Sequence, residues 1–213
     1  IQAGEISYNY KDKSASATPP AEKPTVAVDA SVFGSMYSGR IFFLINENSK
    51  SSNIDEVTIT ENGDVVLKAD IAAKKAIEIQ AQGDIKQSGT TFAQETVNIE
   101  SEKTVEINGN TISGEAANLQ AGDTITNNGQ IISAGSITTS AANINNFGKL
   151  IANTDITINS FQLNNTAGEI GAAGSITSSD INQIINQSGT ITAGSKIEFL
   201  DFANLDNNNG SIF

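Results

Sequence analysis

The sequence predicts an all-β chain whose short strands wind into a three-sided parallel solenoid, a β-helix of about 20 residues per coil, behind an irregular N-terminal segment. Three observations lead there. Gly89, Gly109, Gly129, Gly148, Gly168, Gly189 and Gly210 open successive copies of one phrase, at steps that never depart from twenty by more than one. A period held this long is read as a repeat architecture before any element is assigned. Each copy carries three short apolar runs with period-two alternation, the pattern of strands. The runs are separated by Gly, Asn and Asp, residues that tolerate left-handed backbone at turns.

Three strands in so short a repeat leave no room for the crossover helix that ordinary parallel strands need. Each copy must therefore make one circuit of a coil, with every strand pairing with its equivalent one copy later. Adjacent rungs then lie about 4.8 Å apart.

Taken in chain order, IQAGEISYNY (1–10) reads as a strand and KDKSASATPPAEKPT (11–25) as an exposed excursion too polar to bury itself. VAVDASVFGSMYSGRIFFLINEN (26–48) holds the single Met and the single Arg of the chain. Its Phe33, Met36, Tyr37, Arg40, Phe42 and Phe43 form a candidate contact surface or, the more common use of bulky aromatic residues beside a β-coil, a packing cluster against the coils. Residues 1–60 are thus assigned to an N-terminal segment packed on the first coils, and residues 61–213 to the repeat array. Between Val57 and Val105, VTIT, DVVLKA, AIEIQA, VNIE and TVEIN read as strands of lead-in coils. There Lys68, Lys74, Lys75, Glu78, Glu100 and Glu102 take outward positions, and the circuit from Gly63 to Gly89 is expected to be longer than those that follow.

From Gly109 onward each apolar column has its own members. Ile131, Leu150, Ile170, Ile191 and Ile212 follow the anchor glycine. Ile137, Ile156, Ile176 and Ile197 come second, and Ile144, Leu163, Ile185 and Leu205 third, just before Asn-rich dipeptides. Those dipeptides (Asn127-Asn128, Asn145-Asn146, Asn164-Asn165, Asn186-Gln187 and Asn207-Asn208) fall at one corner on successive circuits, where side-chain amides can bond in a ladder along the stack.

Composition narrows the chemistry. The 213 residues carry a formal charge of −12 with no His and no Cys. No basic patch is offered to a phosphate backbone, so nucleic acid is not an expected partner. Disulfides, thiolate catalysis and the commonest metal ligand are removed with those two residue types. No apolar run approaches a membrane span, and no G-G-x-G-x-D repeat of a calcium-binding roll occurs. No cofactor, metal or catalytic residue is expected. The chain starts at Ile1 without a leader and stops inside a new phrase, which reads as a piece of something longer.

The phrase Asn127 to Ile137, with its N-x-G-x-I-x-A-x-G-x-I pattern, resembles the haemagglutinin repeat of the filamentous-haemagglutinin and contact-dependent-inhibition exoproteins. VDASVFGSMYSGRI (28–41) is similar to a V-D-x-S-x-L-G-G-M-Y-A-x-x-I phrase that precedes the array in that family. Phe33 and Ser35 depart from it, as does FFLINENSK after Ile41. The family's Asn-Pro-Asn secretion motifs are absent, which places this piece downstream of the secretion signal. The resemblance implies a right-handed β-helix in a secreted, cell-surface exoprotein of a Gram-negative bacterium. An outer-membrane two-partner-secretion transporter and neighbouring coils of the same longer chain would be its partners. The expected role is a shaft that holds a distal adhesive or toxic domain away from the cell.

Two other readings stay open. The segment itself can be an adhesive face for a host or target-cell receptor or a carbohydrate. A β-helical carbohydrate-active enzyme would need carboxylates on neighbouring rungs of one face; Asp123, Asp155 and Asp180 come nearest and do not clearly stack. The sequons at Asn164, Asn186 and Asn209 are the chance yield of an Asn- and Ser-rich chain.

Overall fold

The computed structural model describes residues 5–9, 14–18, 55–178 and 180–213. Two strands precede the coils: β1 (Glu5–Asn9) pairs antiparallel with β2 (Ser14–Thr18). Ser14–Thr18, expected in a loop, is therefore a strand; alternating Ser and Ala with a terminal Thr can follow a hairpin ladder once a partner lies alongside.

The remaining strands form three sheets of eight, each parallel throughout and each built from every third strand of the chain. The first coil comprises β3 (Glu56–Glu61), β4 (Val65–Leu67) and β5 (Ile71–Ala73). These open the first, second and third sheets, which end with Lys196–Phe199, Asn204–Asp206 and Ser211–Ile212. No helix occurs among the described residues. The predicted all-β solenoid is what the chain forms, and β3 places the start of its array at Glu56. Seven rung steps of about 4.8 Å give the stack a length of roughly 34 Å.

Inward columns supply the core. Ile131 pairs with Leu150, Leu150 with Ile170, Ile170 with Ile191 and Ile191 with Ile212, as the glycine register requires. Ile137, Ile156, Ile176 and Ile197 align likewise. The third column differs at one place: Leu163 pairs with Ile184, which is fully buried, and Ile184 with Leu205, while Ile185 faces outward. The cause is an insertion at the corner that follows.

At Gly109, Gly129 and Gly148 the chain passes so close to the coil before it that an added Cβ would overlap the carbonyl oxygen of Gly89, Gly109 and Gly129 in turn. From the next coil onward the corner takes one more residue. Ala167, Ser188 and Asn209 sit there with φ of 56°, 55° and 55°, and Gly168, Gly189 and Gly210 follow each of them. A side chain in this left-handed region costs energy, but the extra residue lets an Asn-x-Gly corner become Asn-x-x-Gly without disturbing the strands.

The lead-in coils are regular too. Val57 pairs with Ile77 and Val65 with Ile85, so the circuit has its regular length from the start. The expectation of a longer one came from matching Gly63 to Gly89. In the structure Gly83 stacks on Gly63, through its N–H to the Gly63 carbonyl at 3.1 Å, and Gly89 packs on Ala69.

Candidate functional site

Phe33, Met36, Tyr37, Arg40, Phe42 and Phe43 lie outside the described residues. Three features of the coils remain as candidates: an amide ladder inside, and two contrasting outer faces.

The ladder occupies the inner end of the second sheet. Asn127 Nδ2 donates to Asn146 Oδ1, Asn146 to Asn165, Asn165 to Asn186 and Asn186 to Asn207, every step at 2.7 Å. The same nitrogens reach backbone carbonyls at the start of the third sheet one coil later: Lys149 at 2.8 Å, Glu169 at 3.1 Å, and Thr190 and Ser211 at 3.2 Å. Asn127, Asn146, Asn165 and Asn186 are buried, so these bonds form where an unmet amide would be costly.

Period two in a strand allows only one Asn of each pair to point inward. Asn145 and Asn164 accordingly face out, and Asn164 Oδ1 accepts from the Thr166 N–H and hydroxyl at 3.1 and 2.7 Å. Asn128 belongs to an exposed rung with Asn108, at 2.9 Å, and Asn208 is an exposed corner residue. Five of the nine expected ladder residues thus form the ladder, four of them buried and Asn207 half-buried. Against Asn145-Asn146 and Asn164-Asn165, the dipeptides Asn127-Asn128, Asn186-Gln187 and Asn207-Asn208 stand one residue out of register: on the outer face Thr126 pairs with Asn145, Asn164 with Ile185, and Ile185 with Asp206.

One member escaped the sequence reading. Gln87 is fully buried two coils before Asn127, in the same column through Ile107. Its Nε2 donates to the Gly89 carbonyl and, at 3.0 Å, to that of Asn110, the acceptor one coil on that matches Lys149 for Asn127. Its place two residues ahead of Gly89, like Asn127 ahead of Gly129, was the available signal.

The outer face of the first sheet is polar. Glu78, Asn98, Asn118 and Thr138 form one column and Gln80, Glu100, Gln120 and Ser140 a second, with a shallow groove between them. Asn118 Nδ2 donates to Asn98 Oδ1 at 2.9 Å. The outer face of the third sheet breaks this rule: Phe92, Ile112, Ile132 and Ile151 stand in register on four consecutive coils. Phe92 is 38% exposed and the three Ile are half-buried. Beyond Ile151 the column continues as Gly171, over which the Ile151 Cδ1 leans, and then Thr192.

Among the described residues the charged side chains do not converge. Asp123 lies at the corner leading into the second sheet, and its N–H bonds the Lys103 carbonyl. Asp155 lies at the corner leading into the first sheet, where Oδ1 accepts the Ser175 N–H at 2.7 Å. Asp180 falls near the corner of Asp123 but three coils on, so no two of the three stand on neighbouring rungs of one face. No group of three acids able to hold a metal occurs among the described residues. Lys68, Lys75, Glu78, Glu100 and Glu102 are exposed as expected, and Lys74 is half-buried.

Among the described residues, two acids have displaced pKa values. Glu106 is held low, first by the Asn108 amide at 3.0 Å and then by Lys86 at 3.3 Å, with partial burial opposing both. Glu61, at the end of β3, is pushed up by burial: it is 8% exposed, and its Oε1 has no hydrogen-bond partner. Of the three sequons, Asn186 is fully buried and Asn209 exposed. Comparison of the chain with protein-family models, with curated proteins and with solved structures returns no match, so the stack, its ladder and its two faces are what any functional reading must rest on.

Proposed function

We propose that these coils are a non-catalytic shaft segment of a secreted bacterial cell-surface exoprotein, an adhesin or a contact-dependent-inhibition toxin carrier, whose work is to hold a distal domain at a distance. The observation that supports this best is the uninterrupted register of eight strands in each of three sheets. A stack of equivalent coils adds length without adding a site, because each coil needs only its neighbours. Export through an outer-membrane transporter suits a chain without cysteine, in which no disulfide can form before passage.

Removing one circuit in register tests the reading. Deleting residues 104–123 joins Lys103 to Thr124, which takes the place of its partner Thr104. The shortened chain should melt cooperatively and still deliver the parent protein's activity to its target, whereas deleting 104–113 should abolish folding. Loss of target activity in a folded 104–123 deletion would overturn the shaft.

One observation favours a second reading, that the segment is itself an adhesive face. The Phe92, Ile112, Ile132 and Ile151 stripe puts apolar surface where the equivalent columns of the first sheet are polar, and apolar patches on an otherwise polar surface mark contact sites. Phe92→Ser with Ile132→Ser should then abolish binding to target cells while leaving the melting transition in place. Unchanged binding would discard this reading.

A further inference from the structure

The outward column of the third sheet is graded in size along the axis. Phe92 is followed by Ile112, Ile132 and Ile151 and then by Gly171, so the largest side chain and the empty position lie four rungs apart with three Ile between them. Phe92 is 38% exposed, and a Cβ added at Gly171 would meet only the Ile151 Cδ1, at 3.1 Å. An apolar groove runs along the column from Ile112 past Gly171 to Thr192. The face thus carries a knob, a level stretch and a hole, in that order. Two sheets packed face to face lie about 10 Å apart, and an even gap of that kind is filled when large side chains stand opposite small ones.

A second copy of the same face meets that condition in one orientation. A two-fold rotation about a line along the strands, through Ile132, reverses the coil axis and leaves each column opposite itself. Phe92 of each copy then stands over Gly171 of the other, Ile112 over Ile151, and Ile132 over Ile132. A two-fold along the coil axis would instead set Phe92 on Phe92 and Gly171 on Gly171, a clash beside a void. The polar flanks agree with the first orientation. In the column beside the stripe Lys149 comes opposite Asn110, Glu169 opposite Thr90 and Gln130 opposite Gln130. At the corner on its other side Gln94 comes opposite Ala173 and Gly114 opposite Asn153. Although the chain has a formal charge of −12, these flanks bring no like charges together.

We propose that this face of the third sheet is a two-fold contact between two copies of this chain, with their coil axes antiparallel, and that Phe92 and Gly171 set its register. Such an interface is isologous, one patch serving both copies. Four rung steps by a strand of four residues give a patch of roughly 19 by 13 Å, well below the roughly 800 Å² per partner of a standard interface. The contact is accordingly weak, with half-association expected between about 0.1 and 1 mM chain. It stands apart from both readings above, since it needs neither a distal domain nor a target cell.

Sedimentation equilibrium over a concentration series tests the contact. The weight-average mass should rise from that of one chain toward that of two and go no further. Ile112→Lys and Ile151→Glu should each hold the chain monomeric at about 1 mM with the melting transition in place. The two together should restore the dimer, because each Lys then meets the partner's Glu, and salt should weaken it. A second measurement does not depend on these variants. The chain has no cysteine, so Asn153→Cys carries a single nitroxide. Mixed with isotope-labelled chains that lack the nitroxide, it should broaden their NMR signals most strongly at Gly114. A chain that stays monomeric at about 1 mM would overturn the contact. So would association that persists in either single variant, a double variant that stays monomeric, or broadening that is strongest at Lys149 or on another sheet.

Discussion

At the inner end of the second sheet, the first three coils place Leu67, Gln87 and Ile107, and the last five place Asn127, Asn146, Asn165, Asn186 and Asn207. The early coils keep one circuit length, while that of the later ones varies by a residue either way. The variable corner and the amide column occur together for a physical reason. An Ile at this place can only fill space, but Asn146, Asn165, Asn186 and Asn207 each bond the glycine carbonyl of their own corner at 3.2–3.3 Å, and the first three of these also a backbone carbonyl of the coil above. The amide thus ties together a corner whose length changes, and the coil does not have to stay uniform to stay in register.

Breaking the ladder in the middle should have the largest effect. Asn165→Leu removes both ladder bonds and the amide's bonds to the Gly168 and Thr190 carbonyls, and it leaves Asn186 Oδ1 buried without its partner, while Asn146 Nδ2 keeps the Gly148 and Glu169 carbonyls. With about 1–3 kcal/mol for the stranded oxygen and about 0.5–1.5 kcal/mol for each bond lost, a loss of roughly 3–4 kcal/mol is expected in denaturant unfolding. If Asn165→Leu costs no more than an exposed substitution, the later coils are held by their Ile columns alone.

Extending the ladder sharpens the same contrast. Ile107→Asn puts an amide directly before Asn127, so its cost should stay below about 2 kcal/mol. Val105→Asn, equally buried but without an amide neighbour, should cost about 3 kcal/mol. Equal costs would mean that the amides recognise nothing in one another.

Glu61 shows what a buried polar group does in the early coils without such partners. Burial raises its pKa, so the unfolded chain releases the proton first as pH rises, and the folded state loses stability across the interval between the two pKa values. Glu61→Gln should therefore stabilise the protein by on the order of 1 kcal/mol at neutral pH, with the gain shrinking as pH falls below the usual glutamate range. A gain independent of pH would show that charge is not the cause.

Smaller still, Ala167→Gly should add about 0.5–1 kcal/mol by relieving a left-handed side chain. The same change at Ala117, inside a strand, should destabilise. Smallest of all, Lys149→Ala breaks an exposed 2.8 Å pair with Glu169 and should move the melting transition by less than about 0.5 kcal/mol, vanishing in high salt.

The fold was legible because backbone geometry forces the repeat. Glycine recurs wherever a side chain would collide with the coil below, and Ile131, Leu150 and Ile170 recur because one column must fill one space. What escaped has particular causes. Thr91 and Thr111 sit in the apolar column of Ile71 and Ile131, and as polar residues at core positions they blur the alternation. Ala69 stands where later coils have glycine, which sent the first circuit to the wrong partner. Ile185 stands in for Ile184 in the sequence because the inserted corner residue cannot be seen in a string of letters. The outward Phe92, Ile112, Ile132 and Ile151 were hidden for a similar reason: in TTFA, NTIS, QIIS and KLIA, inward and outward apolar residues are adjacent, and only pairing decides which is which.

The amide column also has a direction. From Asn127 to Asn186 each Asn gives a hydrogen to the next Asn toward the C-terminal end and none gives it back, so side-chain dipoles line up head to tail along the axis. A newly arriving circuit finds an N–H already aimed at the place its own carbonyl oxygen must take. The column behaves as a one-way template, on which growth from the first coil is guided and growth from the last is not.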